Sequence, residues 1–217
     1  MYNKPIIVFE GVEGSGKTFH INNVSNYLKK KRIKFIQIRE PGGSKNSEKI
    51  RRLILSKRNK FNQNTDLLLY LAARSENLEN IINKNKKKII LIDRFVDSTL
   101  AYQHYGMGVN KNIINLLNKF LLKNIKITFT FLNIVNENNM KSRLSKRKNL
   151  NRYDNFKIKF YRKVQSGFIK IANLNKKKYL KINSNLSIQT NKKIIIKKIN
   201  SFIKWKISQL IKQNYMV

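Results

Sequence analysis

Eight consecutive residues constrain this chain more than any other feature. Gly11-Val12-Glu13-Gly14-Ser15-Gly16-Lys17-Thr18 satisfies G-x-x-x-x-G-K-[ST] and stands between an apolar run and a helical pattern, the context that the motif requires. The run, Pro5 to Gly11, carries Ile6, Ile7, Val8 and Phe9 without polar interruption and reads as a strand covered on both faces. From Lys17 to about Lys31, Ile21, Val24 and Leu28 recur at helical spacing on a polar segment. Strand, glycine-rich loop and helix in that order turn backbone N–H groups and a helix N-terminus toward phosphate oxygens. Residues 11–18 are thus expected to hold a nucleotide's phosphates, with Lys17 bridging the terminal ones and the Thr18 hydroxyl on Mg²⁺.

A phosphate loop of this kind belongs to an open parallel sheet, and the rest of the chain supplies the strands. Phe35, Ile36 and Ile38 make a second, Lys88 to Asp93 a third, Ile127 to Leu132 a fourth and Tyr179 to Ile182 a fifth, with helical pattern between each pair. Strands separated by helical crossovers give right-handed βαβ units. The expected fold class is α/β: a three-layer α/β/α P-loop NTPase fold with a parallel five-stranded sheet. Its 217 residues, with 41% hydrophobic, suit one domain, 1–217, without Pro- or Gly-rich linkers.

Composition narrows the chemistry. The absence of cysteine removes disulfides, thiolate metal sites and cysteine nucleophiles. No segment approaches the roughly 18 uninterrupted apolar residues of a membrane span, and Met1 to Pro5 leads into a strand rather than a signal-peptide core, so a cytoplasmic protein without a membrane partner is expected. The formal charge of +36 normally suggests a polyanion partner. Lys, Ile and Asn, favoured by A+T-rich codons, supply 36, 30 and 31 residues, whereas Arg supplies 11. The lysine excess thus reads first as codon composition; no specific nucleic-acid partner is expected, although salt-sensitive, non-specific adhesion would follow.

Further candidates lie at the carboxyl ends of the strands, where an open parallel sheet places ligand contacts. Asp93-Arg94 ends the third strand, and Asp93 is a candidate for the magnesium side. Arg39-Glu40-Pro41-Gly42-Gly43 follows the second strand, and its turn leaves Arg39 at the sheet's top edge as either an anion fork or a solvated arginine. Tyr70 and Arg74, four apart in a helical pattern, could present a ring and a guanidinium to a base; the spacing fits a core tyrosine and a surface arginine equally. Arg143, Arg147 and Arg152 gather in a polar stretch, Lys141 to Asp154, that reads as a mobile lid or as a solvated basic loop. His20 and His104 have no partner pattern for a metal or a triad, and no second strand carries an Asp-Glu hydrolytic pair.

Together these residues resemble the bacterial thymidylate kinase family. The resemblance rests on Phe9-Glu10-Gly11 with the phosphate loop, Arg39 to Gly43, Tyr70 to Arg74, Asp93-Arg94-Phe95, Ser98-Thr99-Leu100-Ala101-Tyr102-Gln103, and Arg143 to Asp154 in that order. It implies transfer of the ATP γ-phosphate to dTMP, giving dTDP and ADP, with Mg²⁺, in a homodimer. It implies that Glu13 faces the sugar 3′-hydroxyl, that Arg39 and Arg94 grip the dTMP phosphate, that Tyr70 stacks on thymine and Arg74 donates to its edge. Thr99 and Gln103 correspond to polar residues near base and phosphate, and Tyr102 to a ring that crowds the 2′ position. Lys17, Arg94, Arg143, Arg147 and Arg152 form the implied catalytic set, the last three in a lid at about 141–154, because the phosphate loop itself has no arginine.

The chain departs from the family pattern at Phe95, often tyrosine, at Phe19, often a small hydroxyl residue, at Asn133, often aspartate, and at Asn136 to Asn139, usually a proline region. The alternatives are another small P-loop kinase of nucleosides or nucleotides, and a nucleic-acid-stimulated ATPase.

Overall fold

Alternation along the first strand sorts the core into two. The strands are β1 (Ile6–Glu10), β2 (Phe35–Arg39), β3 (Ile89–Asp93), β4 (Phe129–Ile134) and β5 (Tyr179–Asn183), and all pair parallel in the order β2-β3-β1-β4-β5. They are those of a computed structural model that describes residues 4–123, 125–147 and 151–214 and, at 155 and 204–214, the backbone alone. Successive strand side chains point to opposite faces. Ile6 and Val8 therefore pack with Ile38, Ile90, Ile92, Leu78 and Ile82, whereas Ile7 and Phe9 pack with Leu91, Phe131, Ile21, Val24 and Leu28. A strand buried on both faces must be apolar throughout, as residues 6–9 are.

The helices are α1 (Lys17–Lys30), α2 (Lys45–Leu55), α3 (Gln63–Asn77), α4 (Val96–Thr99), α5 (Lys111–Leu122), α6 (Glu137–Ser145), α7 (Ile158–Leu174) and α8 (Ile188–Asn214), with π-helical turns at Leu78–Ile82 and Leu100–Gly106. Ile21, Val24 and Leu28 of α1 and Ile195 and Ile199 of α8 cover one sheet face. Leu78, Ile82 and the end of α5 cover the other, completing three layers. A further cluster, with Val12, Leu132, Tyr161, Val164 and Phe168, fastens α7 beside the phosphate loop. Each fully buried side chain of this size contributes about 1.5–3 kcal/mol.

The asparagine content has local uses. Asn62, Asn110 and Asn136 cap α3, α5 and α6, their side chains accepting from the backbone N–H of Thr65, Asn112 and Asn139, each cap being worth about 1 kcal/mol. Asn136 thus opens α6 without a proline.

The other strands keep within one residue of their expected bounds, and β4 departs further. β4 begins at Phe129 rather than Ile127, because the N–H of Ile6 donates to the Thr128 hydroxyl at 3.1 Å instead of to a backbone carbonyl, which starts the ladder later. At the other end β5 holds the strand through Ile134. Asn133 is therefore inside β4 rather than at its end. Among the described residues no helix is long and apolar enough to cross a membrane.

Candidate active site

The phosphate loop leaves β1 where only glycine fits. Gly11 has φ +141°, and a Cβ there would stand 2.4 Å from the Asn133 carbonyl oxygen. Asn133 Nδ2 donates to the Ser15 carbonyl at 3.3 Å, bracing the loop from behind. Gly16, left-handed at φ +85°, precedes α1 and turns its N-terminus into the cleft. Lys17 Nζ folds back on the loop, donating to the carbonyls of Gly11 at 2.9 Å and Val12 at 2.8 Å. Burial, reinforced by Arg94, pushes the Lys17 ammonium down to about 8.

Beside the loop, three side chains form a closed knot. Arg94, at the end of β3, adopts a left-handed φ of 67°, a conformation that a non-glycine residue keeps only when its surroundings hold it. Its Nη1 donates to the Gly11 carbonyl at 2.8 Å and its Nη2 to Glu13 Oε1 at 2.9 Å. The other oxygen of Glu13 accepts from the Tyr102 hydroxyl, and the Arg94 guanidinium lies 5.1 Å above the Tyr102 ring. Burial opposes ionisation of Glu13, but Arg94 and Lys17 outweigh it and hold the carboxyl below its usual range. Burial likewise opposes the charge of Arg94, and Glu13 with its neighbours raises its pKa regardless.

A cleft of about 510 Å³ opens over this knot. Arg39, largely exposed, enters it and donates to Glu48 at 3.2 Å. Tyr70, Thr99, Tyr102 and Gln103 line it as well. Gln103 is 1% exposed and its Nε2 has no partner among the described residues, so a buried donor awaits an acceptor. Arg74 reaches the same wall but, contrary to the surface position that its spacing allowed, is 2% exposed. It donates to Glu40 Oε2 at 2.8 Å, Asn118 Oδ1 at 2.7 Å and Thr99 Oγ1 at 2.9 Å, leaving two of its five N–H groups for anything in the cleft.

Thr18 Oγ1 donates to Asp93 Oδ2 at 3.0 Å. A hydroxyl and a carboxylate side by side at the phosphate loop suit Mg²⁺, which is bound through few protein oxygens and completes its shell with water and phosphate. Among the described residues no cluster of three or more His, Cys, Asp or Glu could hold a metal by protein groups alone.

The arginines expected in a lid separate. Residues 141–145 belong to α6 rather than to a loop, so Arg143 sits on a helix and bridges the carbonyls of Gly14 at 2.9 Å and Ser184 at 2.8 Å. Arg147 lines the cleft and pairs with Asp154 at 2.5 Å. Arg152 is directed elsewhere: it pairs with the buried Asp66, which also accepts from Tyr153 at 2.5 Å, and is absent from the cleft lining. A carboxylate of α3, 86 positions away, claims it. The middle of the expected lid, 148–150, lies outside the described residues.

Sequence reasoning passed over Arg51. It faces the cleft from α2, donates to the Pro41 carbonyl at 2.6 Å, and is held below its usual pKa by burial and by the neighbouring Arg39. The available signal was an arginine in a chain where lysine outnumbers arginine 36 to 11. Ser98 and Glu10 were also undervalued: the fully buried Glu10 accepts from the N–H of Phe95 and the Ser98 hydroxyl, fixing the turn that carries Arg94.

A glycine-rich loop with its lysine, a hydroxyl–carboxylate pair and the guanidinium-lined cleft they share define a P-loop kinase of small phosphorylated acceptors. The thymidylate kinase family model matches residues 9–195. The thymidylate kinase of Sulfurihydrogenibium sp. (strain YO3AOP1) is 38% identical over 193 residues, covering 88% of this chain and 94% of that one. That of Acholeplasma laidlawii is 34% identical over 198 residues, covering 89% and 97%. The crystal structure of thymidylate kinase from Ehrlichia chaffeensis superposes with a TM-score of 0.74 at 30% identity, covering 91% and 98%. The chain belongs to the thymidylate kinase family.

Proposed function

We propose that this protein transfers the γ-phosphoryl group of ATP to dTMP, giving dTDP and ADP. The observation that carries the reading is one cleft lined together by the Lys17 loop and by the guanidinium groups of Arg39, Arg51 and Arg94. ATP phosphates lie on residues 11–18. Arg39, Arg51 and Arg94 hold the dTMP phosphate in line, one of its oxygens attacks the γ-phosphorus, and the bond from that phosphorus to the β,γ-bridging oxygen breaks. No strong general base is required, because a nucleotide phosphate is already largely ionised near neutral pH. Catalysis is positioning and charge stabilisation.

Thr18 and Asp93 would hold Mg²⁺, which neutralises phosphate charge when bound. Lys17, Arg143 and Arg147 offset charge on the migrating group from the protein side, and Arg152 orders the same segment through Asp66. Glu13 accepts from the sugar 3′-hydroxyl, Tyr102 fills the 2′ position, Tyr70 stacks on the base, and Arg74, Thr99 and Gln103 present donors to its edge. In this reading residues 1–217 act as a single domain in the cytoplasm, and Arg143 and Arg147 bring the charge expected of a lid to the cleft.

The acting unit is a homodimer. Leu68 of α3 and Ile113, Leu116 and Phe120 of α5, each 50–68% exposed on helices that touch one another, offer the apolar face. Analytical ultracentrifugation of Phe120→Glu tests this: a monomer is expected, and an unchanged dimer contradicts the assigned face.

A coupled assay of ADP release with dTMP, dUMP, dGMP and thymidine tests the substrate. Preference for dTMP supports the assignment, and preference for thymidine replaces it with a nucleoside kinase.

A further inference from the structure

Because all five strands are parallel, the loops that lead into them share one edge of the sheet, and the phosphate loop with its cleft occupies the opposite edge. Each of the five approaches is cationic. Lys4 precedes β1, four lysines and Arg32 stand within 29–34 before β2, and Lys84, Lys86, Lys87 and Lys88 precede β3. Lys123 and Lys126 precede β4, and Lys176, Lys177 and Lys178 precede β5. None of these segments contains Asp or Glu.

Runs that are scattered in sequence become one row in space, in the strand order β2-β3-β1-β4-β5. Backbone bonds fix the loops beside one another: Ile89 N–H to the Lys34 carbonyl at 3.1 Å, Ile90 N–H to Pro5 at 3.0 Å and Thr128 N–H to Ile6 at 2.9 Å. Four inter-strand steps of about 4.8 Å span roughly 19 Å, the length of five or six phosphates of one duplex strand at about 3.4 Å each. Codon composition spreads lysine over a surface, but it does not by itself clear one edge of carboxylates. Six of the eleven acidic residues stand instead at or just after the carboxyl ends of β1, β2 and β3: Glu10, Glu13, Glu40, Glu48, Asp93 and Asp97.

We infer that this edge binds the phosphate backbone of nucleic acid without regard to base sequence, on the side of the sheet opposite the kinase cleft. No aromatic residue interleaves with the lysines in these runs. Base stacking, which distinguishes single-strand platforms, therefore plays no part in the binding, and phosphate contacts carry no sequence information.

The test uses fluorescence anisotropy of a labelled 20-base-pair duplex over a KCl series with two full-length variants of equal net charge. One carries Lys→Gln at 31, 34, 87, 126 and 177, on the edge; the other carries it at 57, 60, 111, 159 and 163, elsewhere. The edge variant is expected to bind at least 100-fold more weakly at 0.1 M KCl. Its slope of log K on log salt should be flatter by about 4.5, since each duplex phosphate that a lysine neutralises adds roughly 0.9 to that slope. The control variant should change less than fivefold, and both should keep the kinase turnover of the unaltered protein. Equal weakening in the two variants overturns the proposal, as does failure of the unaltered protein to bind at 0.1 M KCl. So does tighter binding to vesicles containing phosphatidylserine than to the duplex, with the same dependence on the edge lysines.

Discussion

Arg74 Nε lies 2.8 Å from Glu40 Oε2, and both side chains are at most 4% exposed. This pair joins α3 to the turn after β2, and Asn77 of the same helix donates to the Gly42 carbonyl at 2.6 Å. The turn that aims Arg39 is thus held by a helix that also carries Tyr70. Burial pushes the Glu40 carboxyl up, and Arg74 opposes that shift. Removing one partner strands the other charge in the interior. Arg74→Ala and Glu40→Ala should each lose about 3–5 kcal/mol in urea unfolding. The double variant Arg74→Met with Glu40→Leu should lose less than the sum, and strict additivity would contradict the coupling.

Lys17→Ala should lower kcat by at least 100-fold while dTMP affinity, measured by calorimetry, stays within about threefold, because Lys17 serves the donor phosphates and the acceptor lies on the guanidinium side. Near-normal turnover would remove Lys17 from the mechanism.

Tyr102→Phe deletes the hydroxyl that donates to Glu13 and leaves the ring over Arg94. A hydrogen bond to a charged group is worth about 1.5–3 kcal/mol, so kcat/KM for dTMP should fall by roughly tenfold or more. Tyr102→Ala also empties the 2′ position, and discrimination between dUMP and UMP should shrink by about tenfold. Kinetics with both nucleotides read this directly; undiminished discrimination in Tyr102→Ala would separate the ring from sugar selection.

Asp97 makes the pH dependence specific. Burial, then repulsion from Glu10, pushes its carboxyl from 3.8 up to about 7, while Tyr179 donates to it at 2.8 Å. The native protein therefore binds a proton that the unfolded chain has already released between about pH 4 and 7. Its contribution lowers stability as pH rises through that window and levels off above about 7. The full shift corresponds to at most about 4 kcal/mol at roughly 1.36 kcal/mol per pH unit. Asp97→Asn should flatten the fall and be more stable than the unaltered protein at pH 8; a profile identical to the unaltered one would show that Asp97 does not titrate in this range.

The parallel sheet and phosphate loop were legible because their signals are local. An unbroken apolar run, glycines at fixed offsets and a 3.6-residue repeat act within twenty residues, and all five strands follow from them. What stayed hidden depends on distant partners. Nothing in the spacing shows that Asp66 claims Arg152, that Asn118 and Thr99 draw Arg74 inward, or that Asn133 braces Ser15. Arg51 was missed because one arginine on a helix carries no periodic signature. The cationic edge was visible only as separate lysine runs until the strand order aligned them.

Phosphoryl transfer from ATP to dTMP is followed by incubating the protein with dTMP and ATP labelled with ¹⁸O in the γ-phosphoryl group, then weighing the products by mass spectrometry. Direct transfer yields dTDP with the label in its terminal phosphate and unlabelled ADP. Label recovered in inorganic phosphate, with no labelled dTDP, would contradict it.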